Sequence, residues 1–232
     1  MTRVERTEWG EALEGLPPGE ILVAAAERFP GRLTFATGFG AEGCVLIDLA
    51  ARHSVKLDLF TLDTGHLFPQ TYALWKALET RYGVSIRGVR GLPPASEGAR
   101  PWERDPEGCC EARKVVPLRA ELGHFSAWVT AIRRDQTADR ANAKVVEWDG
   151  KFGLVKVNPL VAWTAAHVAA YVQAHDVPTN PLHAQGYPSI GCEPCTTAVR
   201  PGEDPRAGRW RNSTKTECGL HLRPNVSPHT ES

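Results

Sequence analysis

The stretch "RLTFATGFGAEGCVLIDLAARHSVKLDLFTLDTGHLF", residues 32–68, decides the fold. "RLTFAT" at 32–37 is short, apolar and ends at glycines, which reads as a strand. "AEGCVLIDLAARHS" at 41–54 places Val45, Leu46, Leu49 and Ala50 on one helical face, and "KLDLFTLD" at 56–63 reads as a second strand. The unit is βαβ, which writes a parallel pair. Outward from it, "EILVAAAERF" at 20–29 reads as a helix after "LPPG", and "FPQTYALWKALETRYG" at 68–83 carries Leu74, Leu78 and Tyr82 at helical spacing before stopping at Gly83. "GLPPASEGARPWERDPEG" at 91–108 is a long Pro- and Gly-rich loop.

Further along, "CCEARKVVPLRAELG" at 109–123 reads as a helix kinked near Pro117, and "AWVTAIRR" at 127–134 as a strand. "AKVVEWDGKFGLVKVNPL" at 143–160 is a hairpin turning at Asp149 and Gly150. "TAAHVAAYVQAHD" at 164–176 is a helix with Thr164 as its cap. After about Pro201 the apolar period disappears, so the end of the chain reads as a tail that orders conditionally. The expected fold class is α/β, a mostly parallel twisted sheet with helices on both faces and a flexible C-terminal tail.

At 232 residues the chain can bury a substantial core, and 27 basic residues balance 27 acidic ones. A zero net charge gives no global attraction to nucleic acid or to an anionic membrane, and neither is expected as a partner. The opening residues carry acids where a secretory signal carries bases, and no run is long enough to span a bilayer. A cytoplasmic location is expected. Thiols stay reduced there, so six cysteines point to a metal site or catalysis before a disulfide framework.

Cys109 and Cys110 are adjacent, and Cys192 and Cys195 form a CxxC in "GCEPCT". Four thiolates converging from two loops suit tetrahedral zinc or an iron–sulfur cluster, and spacing alone leaves the two open. Pro194 inside the CxxC, with no thioredoxin-like βαβ start before it, argues against a redox dithiol. Neighbouring cysteines reach one centre only at a helix start or a turn, which "PEGCCEARK" supplies, and a polynuclear cluster accepts such a pair more readily than a single ion.

"TFATGFGAEG" follows a strand and opens a helix, which either makes a plain tight turn or aims amides of the Thr37, Gly38 and Gly40 region toward an anion. It is not a Walker loop, because the GxxxxGK[ST] spacing and its lysine are missing. Asp63, Thr64 and Gly65 end the next strand in a similar way. Two such strand ends make a ligand crevice. "AIRRDQTADR" then brings Arg133, Arg134 and Arg140 to the end of another strand, a set suited to phosphate or sulfate.

Together these motifs resemble the assimilatory, thioredoxin-dependent adenylyl-sulfate reductases of the PAPS reductase family, which have the PP-loop, adenine nucleotide alpha hydrolase-like fold. The resemblance runs from about Leu33 to His221 and rests on "FGAEG", "FTLDTGHLFPQTY", "CCEARKVVPL", "IRRDQTADR", "VPTNPLHAQGYPSIGCEPCT", "RPGEDPRAGRW" and "ECGLH". It implies a 4Fe-4S cluster on Cys109, Cys110, Cys192 and Cys195, with Cys218 of "ECGLH" as nucleophile. It also implies substrate contacts from Thr37, Gly38, Gly40, Asp63, Thr64, Gly65, Arg133, Arg134 and Arg140. The chain departs from the family pattern at Thr37, where a serine is usual near the loop glycines, at His66, where arginine is common, and at Ala131, where glycine is common.

The implied reaction takes adenylyl sulfate to sulfite and AMP in sulfate assimilation and cysteine biosynthesis. The Cys218 thiolate attacks sulfur, an S-sulfocysteine forms, and thioredoxin resolves it. Such a thiol must ride on a moving segment. Lys215, His221 and Arg223 flank it as cations, His221 and Arg223 also serving as substrate contacts, and Lys114, about one turn after Cys110, links cysteine centre to substrate charge. The expected division is residues 1–200 as the nucleotide-binding α/β domain with the iron–sulfur site and 201–232 as the mobile catalytic segment. The alternatives are the 3′-phosphorylated substrate, a zinc-containing PP-loop enzyme of ATP-dependent RNA thiolation, and a noncatalytic zinc-stapled scaffold. A homo-oligomer stays open.

Overall fold

A computed structural model describes residues 1–93, 100–211, 213–215 and 218–220. The expectations for His221 and Arg223 lie outside the described residues. Six strands, β1 (Leu33–Ala36), β2 (Asp58–Leu62), β3 (Ile86–Val89), β4 (Ala127–Val129), β5 (Val146–Asp149) and β6 (Leu154–Val157), form one sheet in the order β3-β2-β1-β4-β6-β5. Every pair is parallel except the β5–β6 hairpin. Helices α1 (Arg3–Leu13), α2 (Pro18–Arg28), α3 (Ala41–Arg52), α4 (Pro69–Tyr82), α5 (Pro101–Arg104), α6 (Pro106–Cys110), α7 (Val116–Leu122) and α8 (Ala165–His175) cover it. The expected α/β architecture is borne out.

Strand residues alternate between two apolar layers, as a sheet buried on both faces requires. Leu33, Phe35, Leu59, Val129 and Val157 join the larger core, built with residues of α1, α2, α3, α4 and α8. Phe60, Trp128 and Leu154 point the other way and meet Leu118 and Leu122 of α7. The larger layer carries one buried charge. Asp48 of α3 is 1% exposed and accepts from Tyr171 at 2.6 Å, Tyr82 at 3.0 Å and Arg52 Nε at 2.6 Å, so one carboxylate ties α3 to α4 and α8. Burial alone would raise its pKa, but the bonds from Tyr171, Arg52 and Tyr82 outweigh that and hold it below the ordinary carboxylate value.

Several readings differ from the structure. The stretch expected as a loop at 91–108 carries α5 and the start of α6, each opened by a proline in its first turn. The helix expected at 20–29 begins at Pro18, whose missing N–H costs nothing in a first turn. The strand expected at 127–134 ends at Val129 as the chain turns out toward the strand-end loops. The helix expected at 109–123 is broken into α6, a π-helical turn at Glu111–Val115 and α7. Pro117 accounts for the break: its ring would clash with the carbonyl four residues earlier, and the wider turn, with Val116 N–H bonded to Glu111 O, relieves it.

Candidate active site and cysteine centre

The site lies at the C-terminal ends of the parallel strands, where open α/β sheets bind ligands. After β1, Thr37 Oγ1 accepts from Phe39 N at 3.1 Å, and Phe39 takes a left-handed φ of 59° while fully buried against Trp75. Gly40 then caps α3 without a side-chain partner for the first amides. Gly43 keeps this loop tight, since a Cβ there would stand 2.9 Å from Thr37 Oγ1.

Asp63, at the end of β2, is 5% exposed and fully engaged. It accepts from Gly65 N at 3.0 Å, Tyr72 at 2.7 Å, and Arg90 at 2.9 and 2.6 Å. Burial pushes its pKa up, yet Tyr72, Arg90 and Gly65 hold it low, and Tyr72 in turn is pushed up to about 12 by burial and by Asp63. The carboxylate therefore shapes the loop. Gly65, at φ 74°, makes the turn, and Thr64 behind it approaches Cys192 Sγ with its hydroxyl at 3.2 Å. The LDTG loop also pairs with the CxxC loop through Leu67 and Cys192, and Glu193 N donates to His66 O at 2.8 Å.

After β4, adjacent arginines diverge. Arg133 is 6% exposed and bonds Glu42 of α3 through Nε at 3.0 Å and Asp135 through Nη1. Arg134 turns to Glu14 at 2.8 Å and Ala143 O at 2.8 Å, toward the α1–α2 connection. Arg140 donates to Gln136, whose amide reaches the same Glu42 at 3.2 Å. Arg133 and Arg140 thus share one network beside the α3 start, and Arg134 does not belong to it.

Beside the LDTG loop, Cys109, Cys110, Cys192 and Cys195 line one cavity with Arg113 and Lys114. His66 and Trp102 meet edge to face at 4.8 Å across its rim. The adjacent cysteines reach one centre because they occupy the last turn of a short helix, capped by Asp105 accepting from Gly108 N at 2.8 Å, just before the π turn. All six cysteines are free thiols. Burial raises the pKa of Cys109 and Cys110 and brings Cys195 to about 11, so these sulfurs need a cationic partner to ionise. Four soft donors lining one cavity fit an iron–sulfur cluster in their chemistry. Among the described residues no three Cys, His, Asp or Glu side chains stand in a ready single-ion arrangement.

Several cations answer the sulfurs: Arg113 and Lys114 oppose the rise at Cys109, and Lys114 and Lys215 oppose it at Cys110. Burial opposes charge on Lys114, but Cys192, Cys218 and Cys110 outweigh it and raise its pKa. Arg209 lies over the Trp210 ring at 4.5 Å, donates to Ser189 at 3.3 Å and keeps a buried Nε with no hydrogen-bond partner among the described residues. Burial lowers its pKa, and Cys218, Cys192 and Cys195 work in the opposite direction. Gly191 makes room for it: a Cβ there would stand 2.2 Å from Nη2. Cys218 itself is half-buried, and its neighbour Gly219 approaches Val115, the residue after Lys114.

The structure therefore gathers the four cysteines, Thr64 and Lys114 around one cavity and adds Arg113 to it, with Arg209 packed on the CxxC loop; the sequence reading singled out neither arginine. Arg113 Nη1 donates to Thr64 O at 3.1 Å, bridging the two loops. The signal for Arg209 was its motif, "RPGEDPRAGRW". That segment folds back on the CxxC loop, with Thr197 N bonded to Gly208 O at 2.9 Å and Trp210 N to Cys195 O at 3.0 Å.

Residues 32–198 match the model of the phosphoadenosine phosphosulfate reductase domain. The chain belongs to the phosphoadenosine phosphosulfate reductase family. Among family members, the adenosine 5′-phosphosulfate reductase of Halalkalibacterium halodurans is 41% identical over 225 residues, covering 94% of this chain and 97% of that protein. A relative from Gloeobacter violaceus named phosphoadenosine 5′-phosphosulfate reductase is 42% identical, with 90% of each chain covered. The crystal structure of phosphoadenylyl-sulfate reductase from Candida auris in a phosphate complex superposes with a TM-score of 0.74 at 29% identity, covering 86% of this chain and 98% of that one. Candida glabrata FMN adenylyltransferase, at TM-score 0.56 and 18% identity over 76% of this chain and 59% of its own, shares the fold alone. No helix among the described residues is long and apolar enough to cross a membrane.

Proposed function

We propose that this family member is an adenylyl-sulfate reductase, an oxidoreductase acting on a sulfur group in sulfate assimilation and cysteine biosynthesis. The observation that carries the reading is the place of Cys218: this half-buried thiol precedes Gly219, whose Cβ would stand 3.5 Å from Val115, and Val115 follows Lys114, which lines the four-cysteine cavity. Relatives named for the unphosphorylated nucleotide, at 41–43% identity, support that substrate over the 3′-phosphorylated one.

The amides at the start of α3 and the Arg133–Gln136–Arg140 network would receive the nucleotide phosphate. Lys114 and Arg209 would face the sulfonate. Cys218 Sγ, as the thiolate, attacks sulfur as the S–O bond to the phosphate breaks and AMP leaves. A thioredoxin thiolate then attacks Cys218 Sγ and expels sulfite. The second thioredoxin thiol resolves the mixed disulfide, so the dithiol supplies the two electrons. A 4Fe-4S cluster, when bound to Cys109, Cys110, Cys192 and Cys195, would ionise those thiols, tie α6 to the CxxC loop and strengthen the field at the sulfonate. Residues 1–200 would carry nucleotide and cluster, and residues 201–232 the acceptor thiol.

The test is incubation with labelled adenylyl sulfate without reductant, followed by peptide mass spectrometry. A sulfonate on Cys218, released as sulfite by thioredoxin and absent from Cys218→Ser, supports the reading. A protein that turns over without that adduct refutes it. Iron and acid-labile sulfide in anaerobically purified protein support the cluster, and zinc in their place overturns it. Parallel assays with the 3′-phosphorylated nucleotide decide the substrate.

A further inference from the structure

Cys218 is held from both sides. Three positions before it, Lys215 keeps its side chain 2% exposed, lies 5.5 Å from the Trp210 ring centroid and ion-pairs with Glu107 of α6, the helix that ends in the paired cysteines. Immediately after it, Lys151 at the tip of the β5–β6 hairpin donates from Nζ to the carbonyl of Gly219. Leu220 then packs, with Phe152, onto the apolar layer of Trp128 and Leu154. Gly219 adopts φ 84°, a conformation that suits glycine, and a Cβ there would stand 3.5 Å from Val115 of the π turn.

The hairpin tip is itself braced. Arg119 of α7 donates to Lys151 O at 2.7 Å and lies 5.4 Å from the Phe152 ring centroid. Thus the helical run that presents Cys109, Cys110 and Lys114 also fixes the surface on which the tail rests. Neither Lys151 nor Phe152 lines the cysteine cavity. A charged hydrogen bond and a partly buried leucine make a contact strong enough to orient a thiol and weak enough to release it.

We propose that the β5–β6 hairpin tip is the dock for Gly219 and Leu220, the two residues after Cys218, and that Lys151 is a positioning residue that holds the Cys218 thiol near Lys114 for sulfonation. The inference rests on the reading of Cys218 as the acceptor, and deepens it by naming what brings the thiol into place.

The experiment compares wild type, Lys151→Ala and Lys151→Arg as full-length protein with matched iron content and matched melting temperature. Iodoacetamide modification of Cys218, followed at the peptide level without nucleotide, reads docking directly. Loss of one charge-assisted bond is expected to raise the rate in Lys151→Ala by at least roughly tenfold, with Lys151→Arg near wild type. The sign is diagnostic, because loss of a neighbouring cation acting only through the thiol would lower the thiolate fraction and slow alkylation. In single turnover, Lys151→Ala should sulfonate Cys218 more slowly by a similar factor at unchanged affinity for AMP. An unchanged or slower alkylation of Lys151→Ala overturns the dock. Absence of any sulfonate on wild-type Cys218 overturns the acceptor reading instead, while alkylation still reports on docking.

Discussion

Gly191→Ala tests whether the guanidinium of Arg209 takes part in the reaction, without removing it. A Cβ at this position would lie 2.2 Å from Nη2, 2.6 Å from Cζ and 3.1 Å from Nε of Arg209. Contact distance is about 3.5 Å, so the guanidinium must retreat by more than ~1 Å. Its far end is flexible, and the fold should therefore survive. Misplacing a charge by that distance in an anion site costs up to roughly 100-fold in rate, or about 2.7 kcal/mol of transition-state stabilisation. The assay is kcat/KM for adenylyl sulfate in protein of normal iron content and melting temperature. Gly208→Ala is the contrasting case, because its Cβ would meet Thr197 O at 2.1 Å, a backbone atom that cannot step aside, and the segment should lose its packing. In an Arg209→Ala background Gly191→Ala should add nothing, since both changes act on one group. A well-folded Gly191→Ala enzyme with wild-type kcat/KM, or full additivity with Arg209→Ala, would refute the reasoning.

Three other outcomes follow from the geometry. Lys114→Ala should lower kcat at normal iron content, by at least ~10-fold if one charged contact to the developing anion is lost; unchanged turnover in single-turnover kinetics removes it from the site. Phe39→Ala empties a fully buried ring position stacked on Trp75 and should cost about 3–5 kcal/mol, read as a lower urea midpoint. Asp48 is held below the ordinary carboxylate value, so the stability it contributes is complete above about pH 4 and drains as pH falls through its lower folded value. Asp48→Asn should flatten that acid limb in urea titrations run from pH 3 to 7, and an unaltered limb would assign acid unfolding to other carboxylates.

The βαβ start and the hairpin were legible because each is a local pattern of apolar runs bounded by glycines, although the hairpin turns over residues 150–153, with Asp149 still paired to Leu154, rather than at Asp149 and Gly150. The four-cysteine centre was legible as a set because soft donors are rare and spaced tellingly. Helix α1 was not singled out, since Leu13 alone among its residues is buried and so leaves no apolar period to read. The different fates of Arg133 and Arg134 were not legible either. Adjacent residues in an extended segment point apart, and nothing local says which one meets Glu42 and which meets Glu14. Arg209 was hidden for a related reason: its importance depends on a glycine in another loop that leaves space for it. The widened turn after Cys110 has no composition cue beyond the proline that follows it.

That widened turn sets the rotational phase between two thiols and an ammonium. Successive residues on a regular helix advance by about 100°, so excising one residue from Glu111–Val115 would re-tighten the helix and swing everything on one side of the deletion by that angle relative to the other. Cys109 and Cys110 would then address one direction and Lys114 another. The ring of Pro117 thereby acts as the spacer that keeps the paired thiols and the Lys114 ammonium in step.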